Sequence, residues 1–154
     1  MKTYRLINNR PDLTQLIWNR EQSGPQWWID ASHTWTPTFE SFEKLWADCR
    51  EIYGLFDDER LLAVIYIAYL GPASINIHIS VIDKLPEADL VRFFVSVKNK
   101  KAIEGITEIT GWILKQNKGM RRTGEAAGFR PNGVSMIYGV SKNRPLVWLQ
   151  YRAV

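Results

Sequence analysis

The sequence predicts an α/β domain, in which short strands and amphipathic helices alternate along 154 residues. Residues 74–82 give the clearest strand, because aliphatic residues there alternate with Asn76, His78 and Ser80. Apolar side chains then recur at helical spacing over about residues 89–103. Such patterns along the whole chain predict the element order β-α-α-β-β-β-α-β-α-β-β.

The first half of the chain supplies the first three of these elements. Residues 4–7 predict a short strand, and a helix begins near Asp12 and is broken by Gly24-Pro25. Thr36 and Pro37 then provide a cap and a first-turn proline, so we expect a second helix to open there.

Strand and turn signals return after residue 50. The acidic triplet at 57–59 separates two apolar segments, which predicts a hairpin. Four further elements complete the order: a strand at 108–114, a short helix at 118–127, and strands at 135–140 and 146–151. The chain has no internal repeat, low-complexity tract or linker, so we expect one domain over residues 1–154.

The composition excludes several classes of protein. A hydrophobic fraction of 45% is typical of a folded protein rather than a disordered one. No apolar run reaches the roughly 18 residues of a membrane span, and residues 1–5 lack the apolar core of a signal peptide. We therefore expect a cytoplasmic protein with no membrane partner. One cysteine and two histidines, without ligand spacing, predict no metal site.

Tryptophan is concentrated near the N-terminus, where five of the seven lie within the first 46 residues. Trp27, Trp28 and Trp35 belong to one aromatic segment, and adjacent residues of an extended segment cannot both point inward. The segment either caps the core or forms an exposed interface for a protein partner or a second copy of the chain.

The residues after the fifth predicted strand form a recognisable pattern. Asn117 precedes a short helix that ends in Gly128-Phe129, and Arg130 and Gly133 follow. Gly128 stops the helix in a conformation that glycine adopts at little cost, and we expect Phe129 to fill the core. Together with the element order, this pattern resembles the GNAT (GCN5-related N-acetyltransferase) superfamily and, more diffusely, short GNAT-like proteins of tailed bacteriophages. The resemblance implies a mixed, mostly antiparallel central sheet flanked by helices.

The resemblance also implies where acetyl-CoA would lie. In active members the fourth strand splays from the fifth and pairs with the pantetheine arm, which places Ile79, Val81 and Ile82 beside that arm. The motif asparagine adds Asn117 to these cofactor-binding candidates. A glycine-rich turn before the third helix then grips the pyrophosphate through bare backbone N–H groups.

This sequence departs from the family pattern at that turn. The positions of the basic residue and the glycines read Asp89, Leu90, Arg92 and Phe94, and any Cβ there keeps a phosphate from the N–H groups. Asp89 also adds like charge, and it would serve as an N-cap if no ligand bound. Gly124 stands where many members have the tyrosine that protonates the leaving thiolate. We therefore expect a degenerate site and no cofactor, with acetyl-CoA bound only if the protein is active.

The basic residues of the second half have three interpretations, which the formal net charge of +4 does not separate. The last predicted helix carries Lys118, Arg121 and Arg122. They either form a solvated face, contact the 3′-phosphate of CoA, or bind another anionic partner such as nucleic acid.

Other candidates for chemistry have simpler alternatives. His78 is either a general base that acts through water or a histidine satisfied beneath a covering helix. Glu40 and Glu43 are spaced like a solvated helix face, and residues 57–59 form a turn. Cys49 shares an apolar stripe with aromatic residues, which predicts a buried thiol.

Two hypotheses of function follow from these observations. The first is a phage-type virion or head-assembly factor, or another protein-binding factor, built on a GNAT scaffold with a degenerate acetyl-CoA site. It would act in the host cytoplasm or in the virion. The second is a divergent acetyl-CoA-dependent N-acetyltransferase with an altered phosphate turn. A fold does not decide between them, so the geometry of the site must.

Overall fold

A computed structural model describes residues 2–22, 38–141 and 143–153 of the chain. The strands are β1 (Lys2–Leu6), β2 (Glu51–Asp57), β3 (Arg60–Gly71), β4 (Ser74–Val81), β5 (Glu108–Leu114), β6 (Phe129–Ser141) and β7 (Arg144–Ala153). The helices are α1 (Thr14–Gln22), α2 (Phe39–Asp48), α3 (Glu87–Ile103) and α4 (Lys118–Ala126), and a short 3₁₀ turn (Pro11–Leu13) precedes α1.

The strands form one seven-stranded sheet in the order β1-β2-β3-β4-β5-β7-β6. Every neighbouring pair is antiparallel except β4 and β5, which run parallel. A parallel pair needs a crossover connection, and α3 supplies it. The mixed, mostly antiparallel sheet and the predicted element order are thereby confirmed.

Helices cover both faces of the sheet, and each face has its own apolar core. On the back face, α3 contributes Leu90, Phe93, Phe94 and Val97 to the larger core. On the front face, α1 and α2 pack against β2 and β3 through a second core, which includes Phe42. In the described part of the chain, no helix is long and apolar enough to cross a membrane.

A buried ion cluster also ties α3 to the sheet. Lys101 is fully buried, although it lies on the apolar stripe of the helix. Its ammonium contacts the carboxylates of Glu51 and Glu104, and it donates to the hydroxyl of Tyr69 at 3.3 Å. Hydrogen bonds to these carboxylates raise the pKa of Lys101 above its ordinary value even though burial acts in the opposite direction. The lysine is therefore charged, paired and structural.

Three predicted boundaries are wrong. The second helix is capped by Thr38, whose hydroxyl accepts the N–H of Ser41 at 3.0 Å, rather than by Thr36. The third helix begins at Glu87 with Pro86 at its N-cap, so Asp89 lies in the first turn and is not the cap. Strand β6 begins earlier than residue 135, because it pairs with β7 on both sides of an irregularity between Pro131 and Ser135.

The predicted glycine stop and its phenylalanine plug are both present. Gly128 has φ of +92° at the end of α4, a conformation that costs glycine little. Phe129 is 3% exposed, and its ring lies edge-on to that of Phe94 with 5.9 Å between centroids. The pair joins the start of β6 to α3.

Truncating Phe129 to alanine should therefore destabilise the fold. We expect Phe129→Ala to lower the free energy of unfolding by about 3–5 kcal/mol, because the change removes buried contacts and leaves a cavity. Urea denaturation measures this loss. Leu70→Ala is the control, since Leu70 is 64% exposed and its loss should change stability little. An unchanged urea midpoint for Phe129→Ala would contradict its place in the core.

Candidate functional site

The one parallel pair of strands separates before either strand ends. Pairing between β4 and β5 runs from Ser74 opposite Glu108 to Ile77 opposite Gly111. Beyond that point β4 continues for four residues and β5 for three without pairing with each other. Gly111 permits the close approach just before the separation, because a Cβ there would lie 3.2 Å from the carbonyl oxygen of Ile77.

The separation exposes backbone groups of β4 that have no strand partner. Ile82 donates its N–H to the carbonyl of Leu62 at 2.8 Å, on the β3 side. Backbone groups of successive residues in a strand point to opposite sides, so those of Ile79 and Val81 point towards β5. In the described chain, no strand pairs with that side of β4 beyond Ile77. The backbone groups of Ile79 and Val81 are the open edge of β4.

Ile82 differs from the other two strand candidates. Its N–H is bound to Leu62, and its carbonyl accepts the Nε hydrogen of Arg20 at 2.9 Å. Both of its backbone groups are therefore already used inside the chain, and they are not part of the open edge.

A narrow space, the strand cleft, lies between the separated strands and is closed from behind by α3 and α4. About 50 Å³ of it is open, which is below the roughly 300–1,000 Å³ of a typical ligand pocket. Asn117 lines this cleft and caps α4, because its Oδ1 accepts the N–H of Met120 at 3.1 Å. The cap uses the oxygen of the amide, and the NH₂ group is a further hydrogen-bond donor of this side chain.

The start of α3 carries two carboxylates, and both are paired. Glu87 accepts the Nε hydrogen of Arg122 at 2.9 Å, which links α3 to α4. Asp89 contacts Arg92 and lies 3.2 Å from the ammonium of Lys2. Hydrogen bonds from Arg92 and Lys2 lower the pKa of Asp89, so it stays ionised and its charge is compensated. The expected repulsion of a phosphate by Asp89 is thereby reduced.

The other three substituted positions of the predicted phosphate turn lie within α3. Leu90 and Phe94 are buried in the back core, and Arg92 is exposed on the helix surface. None of them precedes the helix. The turn itself spans residues 82–86 and contains no glycine.

Gly124 lies in the cleft wall, where it allows α4 to approach β5. A Cβ at this position would lie 3.2 Å from Cδ1 of Ile113. Among the described residues that line the cleft, Tyr151 carries the one hydroxyl. That oxygen accepts the Nε hydrogen of Arg121 at 3.0 Å and keeps its own hydrogen for donation.

A second and much larger cavity, the front pocket, lies on the opposite face of the sheet. It has a volume of about 770 Å³, within the range of small-molecule sites. The two cavities share Ile77, His78, Trp112 and Trp148 among their lining residues. They therefore meet where β4 and β5 separate, so molecules bound on the two faces of the sheet could touch there.

His78 stands at this junction with its side chain open to solvent in the pocket. The pocket walls limit the hydration of the exposed imidazole and so lower its pKa, while the carboxylate of Glu21 acts in the opposite direction. Glu21 is buried and accepts a hydrogen bond from the Ser80 hydroxyl at 2.5 Å. His78 is thus a neutral, accessible base with a carboxylate nearby, rather than a histidine buried beneath a helix.

The remaining candidates from the sequence are spread over the surface. Glu40 and Glu43 are exposed on α2, and the turn at 57–59 is closed by Asp58 with φ of +54°. Cys49 is half-buried rather than buried, and burial raises the pKa of its thiol. Among the described residues, no cluster of three or more potential ligands could hold a metal ion.

Two of the three basic candidates on α4 have partners within the chain. Arg121 binds Tyr151 and the carbonyl of Lys115, and Arg122 binds Glu87. Lys118 is exposed at the first position of the helix. The aromatic segment with Trp27, Trp28 and Trp35 lies outside the described residues.

Comparison with known proteins identifies the architecture. No family model and no curated protein matches the sequence. Among solved structures, a spermidine N-acetyltransferase from Vibrio cholerae in complex with CoA and spermine has a TM-score of 0.74 at 14% identity, covering 98% of this chain and 94% of that one. The ribosomal-protein-S18-alanine N-acetyltransferase from Escherichia coli has a TM-score of 0.75 at 11% identity, covering 99% and 93%. An N-acetyltransferase from Staphylococcus aureus has a TM-score of 0.72 at 14% identity, covering 99% and 97%.

The chain has the GNAT fold. At these identities the likeness concerns the fold alone. The cleft and the front pocket are therefore described from the residues of this chain and not from its structural neighbours. Sequence reasoning missed Glu21, Tyr66, Trp112 and Trp148, which lie beside His78 in the front pocket. In the sequence, Trp112 and Trp148 stand out only because they lie apart from the tryptophans near the N-terminus. No local sequence pattern indicates that Glu21 or Tyr66 belongs to a site.

The environment of His78 can be tested by titration. We expect NMR to give the imidazole a pKa below its ordinary value of 6.5. In Glu21→Gln the pKa should fall further, because a nearby carboxylate stabilises the imidazolium. Glu40→Gln, which neutralises an exposed carboxylate, is the matched control. The titrations are made in a His33→Gln background, so that the one remaining histidine signal belongs to His78. A pKa of His78 above 6.5, or one unchanged by Glu21→Gln, would contradict this description.

Proposed function

We propose that the protein is an acetyl-CoA-dependent N-acetyltransferase that acts in the cytoplasm. The observation that carries the proposal is the junction of two cavities at the point where β4 separates from β5, with His78 beside it. One cavity offers unpaired backbone groups to a donor, and the other has room for an acceptor. Solved proteins of the same fold include an N-acetyltransferase in complex with CoA, which supports the choice of donor.

Several groups of this chain fit such a donor. The open edge of β4 at Ile79 and Val81 can pair with amide groups of an extended arm, as a neighbouring strand would. The NH₂ group of Asn117, which the helix cap does not use, adds a donor. At the start of α3, the N–H groups of Glu87 and Ala88 precede the first intrahelical bond and can face an anion. Ile82 is left out of the proposed contacts because its backbone is already bonded.

The chemistry requires a base on the acceptor side. Acetyl-CoA supplies a thioester whose carbonyl carbon is attacked by an amine, so that a C–N bond forms and the C–S bond breaks. His78 removes a proton from the amine, directly or through water, because its lowered pKa keeps the imidazole neutral at pH 7. Tyr151 can donate a proton from its hydroxyl to the departing sulfur. It would take the role of the tyrosine that many GNAT members have at the position of Gly124.

Binding of acetyl-CoA is the direct test of this proposal. By isothermal titration we expect a dissociation constant on the order of 10 μM, about −7 kcal/mol. Asn117→Ser should weaken binding about threefold to tenfold, since it removes one hydrogen-bond donor but keeps an N-cap for α4 and hence the stability of the protein. Gln116→Ser, a change at the exposed neighbouring residue, is the control and should leave the affinity unchanged.

Absence of binding at millimolar acetyl-CoA would favour the second candidate, a non-enzymatic binding or assembly factor of the phage type. Three observations favour that candidate: the narrowness of the cleft, the lack of glycine before α3, and Gly124. Its partner would then be a protein or a second copy of the chain at Trp27, Trp28 and Trp35, or an anion at Lys118, Arg121 and Arg122. Of these three basic residues, Lys118 is the most available, since Arg121 and Arg122 already hold partners.

A further inference from the structure

We infer that the front pocket selects a small primary amine on a flat aromatic body, an arylalkylamine, rather than a polyamine or a basic peptide. The inference rests on the proposed function and names the acceptor class of the same site. The inference is based on four features of the pocket: its shape, its aromatic walls, one buried carboxylate and one buried hydroxyl.

The walls of the pocket are largely aromatic. Five of its described lining residues are phenylalanine, tyrosine or tryptophan: Phe42, Tyr66, Tyr69, Trp112 and Trp148. Phe42 lies edge-on to Tyr66 with 6.5 Å between centroids, and Tyr66 lies 5.8 Å from the ring of His78. Aromatic walls stabilise a flat apolar ligand by burial and by edge or stacking contacts. A cavity of about 770 Å³ holds one such ligand with room to spare.

The hydroxyl of Tyr66 is a specific recognition element. Tyr66 is 6% exposed, and its hydroxyl makes no hydrogen bond of normal geometry with the described residues, although the Ser80 hydroxyl lies close enough to influence it. Leaving a buried hydroxyl unpaired is unfavourable, so a ligand that pairs with it is favoured. Burial, reinforced by the charge of Glu21, raises the pKa of Tyr66, so the group is a neutral hydroxyl at every ordinary pH.

Among the described residues that line the pocket, Glu21 is the one buried charged group. Glu21 lines the pocket and accepts a hydrogen bond from the Ser80 hydroxyl at 2.5 Å, and its charge acts on both Tyr66 and His78. A carboxylate in this position attracts an ammonium group and holds it beside the base that must deprotonate it.

The rim of the pocket disfavours a polycation. Among the described residues, the exposed charged ones that line it are Lys44, Asp48 and Arg50, and together these three carry one net positive charge. The guanidinium of Arg50 lies over the ring of Tyr69 at 4.4 Å, so that cation is held at the entrance. A polyamine would place its second and third ammonium groups near these cations, whereas an arylalkylamine places a ring there.

Isothermal titration with 2-phenylethylamine, spermidine and a lysyl dipeptide, each without acetyl-CoA, tests the inference. We expect 2-phenylethylamine to bind at least tenfold more tightly than the other two. Tyr66→Phe should weaken its binding about tenfold without lowering the melting temperature, since the hydroxyl makes no hydrogen bond of normal geometry with the described residues. Glu21→Gln should weaken it about tenfold or more. Tyr4→Phe, which removes the hydroxyl of a tyrosine on β1 far from the pocket in the sheet order, should change nothing.

Tighter binding of spermidine or the dipeptide, or an unchanged affinity of Tyr66→Phe for 2-phenylethylamine, would overturn the inference. A thiol-release assay with acetyl-CoA separates this failure from that of the proposed function. Acetyl-CoA binding with turnover of spermidine alone overturns the acceptor class and keeps the transferase. Binding of 2-phenylethylamine without any acetyl-CoA binding supports the pocket's selectivity and overturns the transferase.

Discussion

The separation of β4 from β5 after Ile77 and Gly111 is the constraint on which the rest of the site depends. In the described part of the chain, six neighbouring pairs hold the sheet together, and this pair alone is parallel. A parallel pair must be joined by a crossover, which places α3 and its N-terminus behind the gap. Gly111 allows the two backbones to approach closely at the last paired position, and beyond it no described strand pairs with that side of β4. The cleft, the helix start and the open edge therefore arise from one topological feature.

The same separation connects the two faces of the sheet. On an unbroken sheet the side chains of opposite faces would be isolated from each other, because successive residues point to opposite sides. Here Ile77, His78, Trp112 and Trp148 line both cavities. A base on the front face can thus act on a group that enters from the gap. The buried Glu21 and the buried hydroxyl of Tyr66 then give the front pocket polar groups among its aromatic walls.

The architecture could be predicted from the sequence because its signals are local. The alternation in residues 74–82 and the glycine stop at Gly128 fix the elements that bound the cleft, and both are present. Ion pairs between distant elements could not be predicted. Asp89 was expected to repel a phosphate, yet Lys2 from the far edge of the sheet compensates its charge. The contact between Ser80 and Glu21 joins residues 59 positions apart, and no local pattern marks it.

Amide hydrogen exchange at β4, followed by NMR with and without acetyl-CoA, tests the central claim most directly. In the free protein His78 and Ser80, whose N–H groups face β3, should exchange slowly, whereas Ile79 and Val81 should exchange faster. Saturating acetyl-CoA should slow the exchange of Ile79 and Val81 and leave that of Ser80 unchanged. The account would be contradicted if Ile79 and Val81 were as protected as Ser80 in the free protein, or if acetyl-CoA left their exchange unaltered.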